Sequence, residues 1–159
     1  MPKALDQMTA AEKFADIIEL RLDLIASFDL KILLNAANKP VIVTARSKLD
    51  GGQFKGSEEK RVALLHDALE TGADYIDIEV STQREYLQPF LESHDTSKII
   101  ISYHDFSHTP EDLTPLYETM KALPGEIIKI VTYARNLSDN LKMFKLLERA
   151  KKENKKLIG

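Results

Sequence analysis

IIELRLD, residues 17–23, alternates strictly: Ile18, Leu20 and Leu22 are apolar, whereas Glu19, Arg21 and Asp23 are charged. A strand repeats every two residues, so the apolar set shares one face and the charged set the other. Ionisable groups inside a buried strand are costly unless they are paired or used. Other short apolar runs carry polar or charged side chains on alternate positions in the same way: 41–46 (VIVTAR), 75–80 (YIDIEV), 99–104 (IIISYH) and 127–132 (IIKIVT). Five such runs imply a shared polar interior, the natural place for a functional site.

Helical stretches separate the runs. Before the first, Leu5, Met8, Ala11, Glu12 and Ala15 predict a helix over 4–15. Residues 30–37 read as a short apolar helix, and Pro40 opens the second run, a position strands tolerate. Ser57 is placed to cap a helix over 58–71, with Glu58 and Glu59 in its first turn and Gly72 at its exit. A shorter helix is expected over 83–92. Thr109-Pro110-Glu111-Asp112 predicts another start, with Thr109 as cap, Pro110 in the first helical position and Asp112 reaching back; its end falls near Pro124-Gly125. Ser138 is expected to cap the last helix, over 139–154, with Leu141, Phe144, Leu147 and Ala150 as its apolar stripe. Residues 156–159 read as the start of another strand.

Strand starts recur every ~30 residues, the size of a βαβ unit. Strict alternation of strands and helices means a parallel sheet covered by helices. An open doubly wound sheet has two apolar strand faces. Here one face is apolar and the other becomes polar towards the C-terminal end, which suits a TIM barrel with its site at the strand C-termini. A complete (βα)8 barrel needs ~250 residues, and at least ~200. The expectation is therefore an α/β protein of the TIM-barrel family. Its 159 residues would form one partial barrel domain of about five βα units plus the start of another strand. It would be an internal piece, lacking at least one strand at the front and more at the back.

Composition narrows the function classes. Hydrophobic residues make up 43% and charged residues 30%, enough to bury a core in a soluble domain. A net charge of −3 argues against nucleic acid as a partner. Lys151, Lys152, Lys155 and Lys156 are interrupted by Glu153 and Asn154, and read as the solvated end of a helix. The absence of cysteine excludes disulfides, thiolate catalysis and cysteine–zinc sites. No apolar stretch approaches the ~18 residues of a membrane span. The N-terminus has neither a secretory core nor a transit-peptide composition, so a cytoplasmic location is expected.

Lys129 is the sharpest single residue. It lies inside IIKIV, surrounded by β-branched neighbours, and lysine is almost never fully buried unless paired. Desolvation and nearby cations such as Arg21 or Arg46 would lower its pKa, leaving a neutral amine able to attack a carbonyl. The bland alternative is a lysine whose stem packs while its head reaches water. His104 ends IIISYH and is placed to act as a general acid or base near neutral pH. His66 and His94 are expected on a helix and a loop without a role, and His108 follows the fourth strand. No set of side chains has metal-ligand spacing, so no metal is expected. Arg21 and Arg46 suit a carboxylate or polyhydroxylated anion, with Glu19, Asp23, Asp77 and Glu79 able to pair with them. An ionic plug that merely fills the interior is the competing reading for Asp23 and Asp77. Asp50-Gly51-Gly52 is either a mobile covering loop or a plain turn.

In order and spacing, 18–23 (IELRLD), 40–52 (PVIVTARSKLDGG), 75–79 (YIDIE), 101–110 (ISYHDFSHTP) and 128–131 (IKIV) resemble the type I 3-dehydroquinate dehydratases, a family of (βα)8 enzymes of the shikimate pathway. The resemblance implies dehydration of 3-dehydroquinate, a small-molecule substrate, to 3-dehydroshikimate, without a cofactor. By the family's pattern Lys129 forms an imine with the substrate ketone, and the cationic imine serves as the electron sink. His104 moves the protons. Glu19, Arg21 and Arg46 match positions that line the substrate site, and Asp77 and Glu79 match supporting acidic positions deeper in the barrel. Asp50 stands where the family has a glutamate that partners the histidine, one methylene shorter. The family's first strand, its late strands, an arginine that grips the substrate carboxylate and a closing loop have no counterpart here, so weak or no activity is expected of this chain alone. Exposed barrel edges invite pairing, so a homo-oligomer is also expected. Two other readings remain at this stage: a class I aldolase-like lysine enzyme, and a non-catalytic barrel fragment.

Overall fold

β1 (Ile18–Arg21), β2 (Val41–Thr44), β3 (Tyr75–Glu79), β4 (Ile99–Asp105), β5 (Ile127–Thr132) and β6 (Lys156–Ile158) form one all-parallel sheet in chain order. This is a computed structural model that describes residues 1–93 and 95–159; His94, expected in a loop, lies outside the described residues. The helices are α1 (Pro2–Ala11), α2 (Leu30–Ala36), α3 (Glu58–Thr71), α4 (Arg84–Ser93), α5 (Thr114–Lys121) and α6 (Leu137–Lys152). β1 and β6 are the two ends of the sheet, and among the described residues no ladder joins them, so the barrel is open. The parallel (βα) architecture read from the alternation is present. None of the described helices is long and apolar enough to cross a membrane.

The alternation works as parallel-sheet physics requires. Val43, Ile76, Ile78, Ile99, Ile101, Ile128 and Ile130 are buried on the helix-covered face, packed with Leu33, Leu65, Ala68, Tyr117 and Met120 from the helices. The opposite face carries Thr44, Asp77, Glu79, Ser102, His104 and Lys129. Register aligns them: Thr44 is level with Asp77, Glu79 with Ser102, Ser102 with Lys129, and His104 with Val131. The charged alternation of the first run outlasts its strand, because β1 ends at Arg21 and Asp23 lies in a 3-10 turn over Leu22–Leu24.

Helix α3 starts and stops where its sequence says. Ser57 accepts a hydrogen bond from the Lys60 N–H at 3.3 Å, and Gly72 closes the helix in a left-handed conformation. Other termini differ. Helix α1 ends at Ala11, four residues before the periodic pattern stops. Thr109 does not cap α5. Its hydroxyl is engaged instead with the end of β5, at Thr132 Oγ1 (3.0 Å) and the Tyr133 carbonyl (3.1 Å). The helix begins at Thr114 with Pro115 in its first turn, while Asp112 accepts from the Thr114 N–H at 2.8 Å. Asn136, not Ser138, caps α6 by accepting from the Asp139 N–H at 3.2 Å. The row of α6 that packs is Met143, Leu146 and Ala150. Leu141 and Phe144, expected in that stripe, are 50% and 62% exposed.

Candidate active site

The inward-facing polar groups converge on Asp77, in the middle of β3. Arg46 grips its carboxylate with both terminal nitrogens, Nη1 to Oδ1 at 3.0 Å and Nη2 to Oδ2 at 2.9 Å. Lys129 Nζ donates to Oδ2 at 3.0 Å from β5. Ser102 Oγ, on β4 between them, donates to Oδ1 and accepts from Arg46 Nη1 at 2.8 Å. Burial alone would raise the Asp77 carboxyl, but the charges of Arg46 and Lys129 hold it below the ordinary aspartate value. A buried pair of this kind persists only when its remaining lone pairs and protons are satisfied, as they are here.

Lys129 Nζ also lies 3.6 Å from Glu19 Oε2, and the other Glu19 oxygen accepts from Thr44 Oγ1 at 2.7 Å. The amine is thus paired with two carboxylates, and the cations expected beside it, Arg21 and Arg46, are themselves engaged with carboxylates. Arg46 turns into Asp77 and Glu79, its Nη1 sitting 3.1 Å from Glu79 Oε1, while Arg21 turns away. Arg21 forms a two-pronged bond to Asp23, 2.9 and 2.8 Å, at the half-exposed mouth. Asp23 in turn accepts the N–H groups of Arg46 (3.3 Å) and Gln53 (3.0 Å), so it anchors the loop after β2. Arg21, the last residue of β1, and Arg46, two residues past the end of β2, therefore have different partners.

His104 lies near the C-terminal end of β4, two register positions above the Ser102–Lys129 pair. Its ring stacks on Phe106 with centroids 5.9 Å apart, and among the described residues its buried Nδ1 has no hydrogen-bond partner. Burial, reinforced by the positive charge of Arg46, pushes its pKa down to about 4. The imidazole is therefore neutral at physiological pH, the form that accepts a proton. Asp50 does not reach it. The Asp50 carboxylate accepts instead from Ser47 Oγ at 2.8 Å and Ser81 Oγ at 2.6 Å. His108 is held in the loop after β4, its Nδ1 3.0 Å from Asp105, and His66 lies on α3. Among the described residues no His, Asp and Glu group is placed to hold a metal ion.

The Gly51-Gly52 pair forms a hydrogen-bonded turn. Gly52 N–H donates to the Ser47 carbonyl at 2.7 Å and Phe54 N–H to the Arg46 carbonyl at 3.2 Å. Gly51 has φ +76° and lies against the Phe106 ring, while a Cβ at Gly52 would run into the Arg46 carbonyl oxygen. Backbone cannot swing aside as a side chain can. Gly52→Ala is expected to destabilise the chain by about 1–3 kcal/mol, readable as a shifted urea midpoint with an unchanged m-value.

Thr44 and Ser102 complete the network but were not singled out in the sequence, although both occupy inward positions of their alternating runs. Arg61 was missed for a different reason: it comes from α3, where strand alternation says nothing. Its signal is an arginine on the helix face that also buries Leu65 and Ala68.

The profile of the type I 3-dehydroquinase family matches residues 1–159, from end to end. The chain belongs to the type I 3-dehydroquinase family. It is 35% identical over 150 residues to the 3-dehydroquinate dehydratase of Methanococcus maripaludis strain S2, covering 92% of this chain and 68% of that protein. It is 36% identical over 164 residues to the 3-dehydroquinate dehydratase of Desulfotalea psychrophila, covering 100% of this chain and 72% of that one. Among solved structures, the 3-dehydroquinate dehydratase of Aquifex aeolicus superposes with a TM-score of 0.70 at 29% identity, over 99% of this chain and 73% of its own. The dehydroquinate dehydratase and shikimate dehydrogenase of S. pombe gives a TM-score of 0.77 at 26% identity, over 91% of this chain and 31% of its own. The chain thus spans about two thirds to three quarters of the length of these three single-function relatives. With these 3-dehydroquinases it shares the parallel (βα) fold.

Proposed function

We propose that this chain carries the lysine-dependent dehydration of 3-dehydroquinate to 3-dehydroshikimate, with Lys129 as the amine and His104 as the proton carrier. The carrying observation is their placement: both face inward from neighbouring strands, two register positions apart, with Asp77 Oδ2 3.0 Å from the amine. Lys129 passes a proton to His104 and adds as the free amine to the substrate ketone; the carbinolamine hydroxyl takes that proton back and leaves as water, giving an iminium ion. The iminium draws electrons from the adjacent C–H bond, whose proton passes to His104. The electron pair then forms the carbon–carbon double bond as the β-hydroxyl departs, taking a proton from the imidazolium. Hydrolysis of the iminium restores Lys129, and the net change is loss of one water.

Electrostatics favour this order. The iminium retains the positive charge of the ammonium at the same nitrogen, so Asp77 and Glu19 stabilise both without rearranging. His104, neutral above about pH 4, is ready to accept the α-proton. In this reading Glu19, Arg21 and Arg46 line the substrate site, Arg46 oriented by Asp77 and Arg21 turned to the open mouth. Asp50, Asp77 and Glu79 support it.

Incubation of the 159-residue chain with 3-dehydroquinate and borohydride, followed by peptide mapping, tests the reading. A reduced adduct at Lys129 is expected. An adduct with simple keto acids but none with 3-dehydroquinate would favour the aldolase-like alternative, and no adduct at all would count against a Schiff-base enzyme.

A second reading concerns assembly and rests on a separate observation. Phe14 is 91% exposed, and Leu137 and Phe144 are 75% and 62% exposed. Apolar groups of this size, together with unpaired sheet edges, favour self-association. Sedimentation velocity is expected to show a concentration-dependent oligomer, and a monomer across the whole concentration range would remove this reading.

A further inference from the structure

Arg61 belongs to α3, yet its side chain is only 1% exposed and every one of its five N–H donors is engaged. Nε and Nη2 grip the Glu58 carboxylate at 2.9 and 2.7 Å, and Nη2 also reaches Thr82 Oγ1 at 2.8 Å. Nη1 donates to Glu79 Oε2 and to the Ala45 carbonyl at 3.3 Å. A planar guanidinium with all its donors satisfied has one orientation.

Glu79 is the link inward. One of its oxygens takes Arg61. The other is 3.1 Å from both Arg46 Nη1 and the Ser47 N–H. Arg46 holds Asp77, which holds Lys129, and Ser47 begins the turn that carries Asp50. Burial raises the Glu79 carboxyl above the ordinary glutamate value, with Arg61 and then Arg46 opposing it. Without Arg61, a fully buried carboxylate would be left with the Arg46 guanidinium and the Ser47 N–H. It would then take a proton or draw the guanidinium off Asp77.

Resting on the dehydratase reading of the site, we infer that Arg61 is a positioning residue: by pinning Glu79 it sets the Arg46 guanidinium against Asp77 and fixes the start of the Ser47–Asp50 turn. The helix layer thereby orients the interior of the sheet through one charged contact. The competing role is a mere tie between α3 and β3, which would affect stability alone.

Two readouts separate these roles in the full chain: the ¹⁵N resonances of the Arg46 side chain without substrate, and the rate of borohydride-trapped adduct at Lys129 with 3-dehydroquinate. Arg61→Met is expected to shift the Arg46 resonances and slow adduct formation by about tenfold or more, as for loss of one charge-assisted hydrogen bond. In a Glu79→Gln background the same change is expected to add less than about twofold, because Arg61 acts through Glu79. Arg61→Lys keeps a cation beside Glu79 without the fork. It is expected to fall between wild type and Arg61→Met, and it decides the matter against wild type if Arg61→Met does not fold. Unchanged Arg46 resonances with only a lowered melting temperature would overturn the positioning role. Absence of any adduct from the wild-type chain would overturn the dehydratase reading instead, leaving the Arg46 resonances to decide the role of Arg61.

Discussion

Replacing Lys129 with methionine is expected to abolish the borohydride-stable adduct with 3-dehydroquinate and with it all turnover above background. Methionine preserves the length and packing of the stem and removes only the amine. No neighbour can substitute: Arg46 and Arg21 are permanently protonated and cannot add to a carbonyl. The fold should survive the change, because Asp77 keeps its two bonds from Arg46 and its bond with Ser102. Lys129→Arg is the informative companion. It retains a cation beside Asp77 but offers no nucleophile, so it should melt close to wild type and form no adduct. An adduct at another lysine in either variant, with turnover intact, would remove Lys129 from the mechanism.

His104→Gln should lower turnover by about 10²–10⁴-fold, the usual contribution of a positioned general acid or base, while an adduct at Lys129 still forms, more slowly. The pH dependence is the sharper signature. In the folded chain His104 titrates at about 4, against the ordinary histidine value of 6.5. Between those values the unfolded chain holds the extra proton and the folded chain does not. Stability therefore falls as the pH drops from 6.5 towards 4, is level above 6.5, and loses no more to this group below 4. Thermal melts of His104→Gln over that range should lack this component. The acid limb of the wild-type rate should likewise appear near 4 rather than 6.5. A limb at 6.5 would mean that His104 is not desolvated by the surroundings described above.

The strands and their faces were legible because period-two alternation is a local property of the chain. VIVTAR, YIDIEV, IIISYH and IIKIVT each carry it, and the buried isoleucines and inward polar groups lie where it puts them. Helix starts were less legible. Thr109 and Ser138 have the chemistry of caps, but a hydroxyl takes whichever partner the fold brings near. Thr109 found the end of β5, and Asn136, two residues earlier, had already closed the α6 terminus. The stripe of α6 was misplaced by part of a turn, since periodicity gives the existence of an apolar row more surely than which row meets the sheet.

The pairing of the charges is another matter. Residue types and alternation suffice to say that Lys129, His104, Glu19, Arg21, Arg46, Asp77 and Glu79 point to one interior, and the resemblance carried by their motifs suffices to say which family they belong to. Which cation holds which carboxylate depends on distances set by packing between residues far apart in the chain. Asp77 meets Arg46 across 31 positions and Lys129 across 52. Asp50 answers to two serine hydroxyls rather than to His104 for the same reason. Arg61 shows it most clearly: a helical arginine enters the account only because burial leaves its guanidinium no water to turn to, so that it must be satisfied by Glu58, Thr82, Ala45 and Glu79.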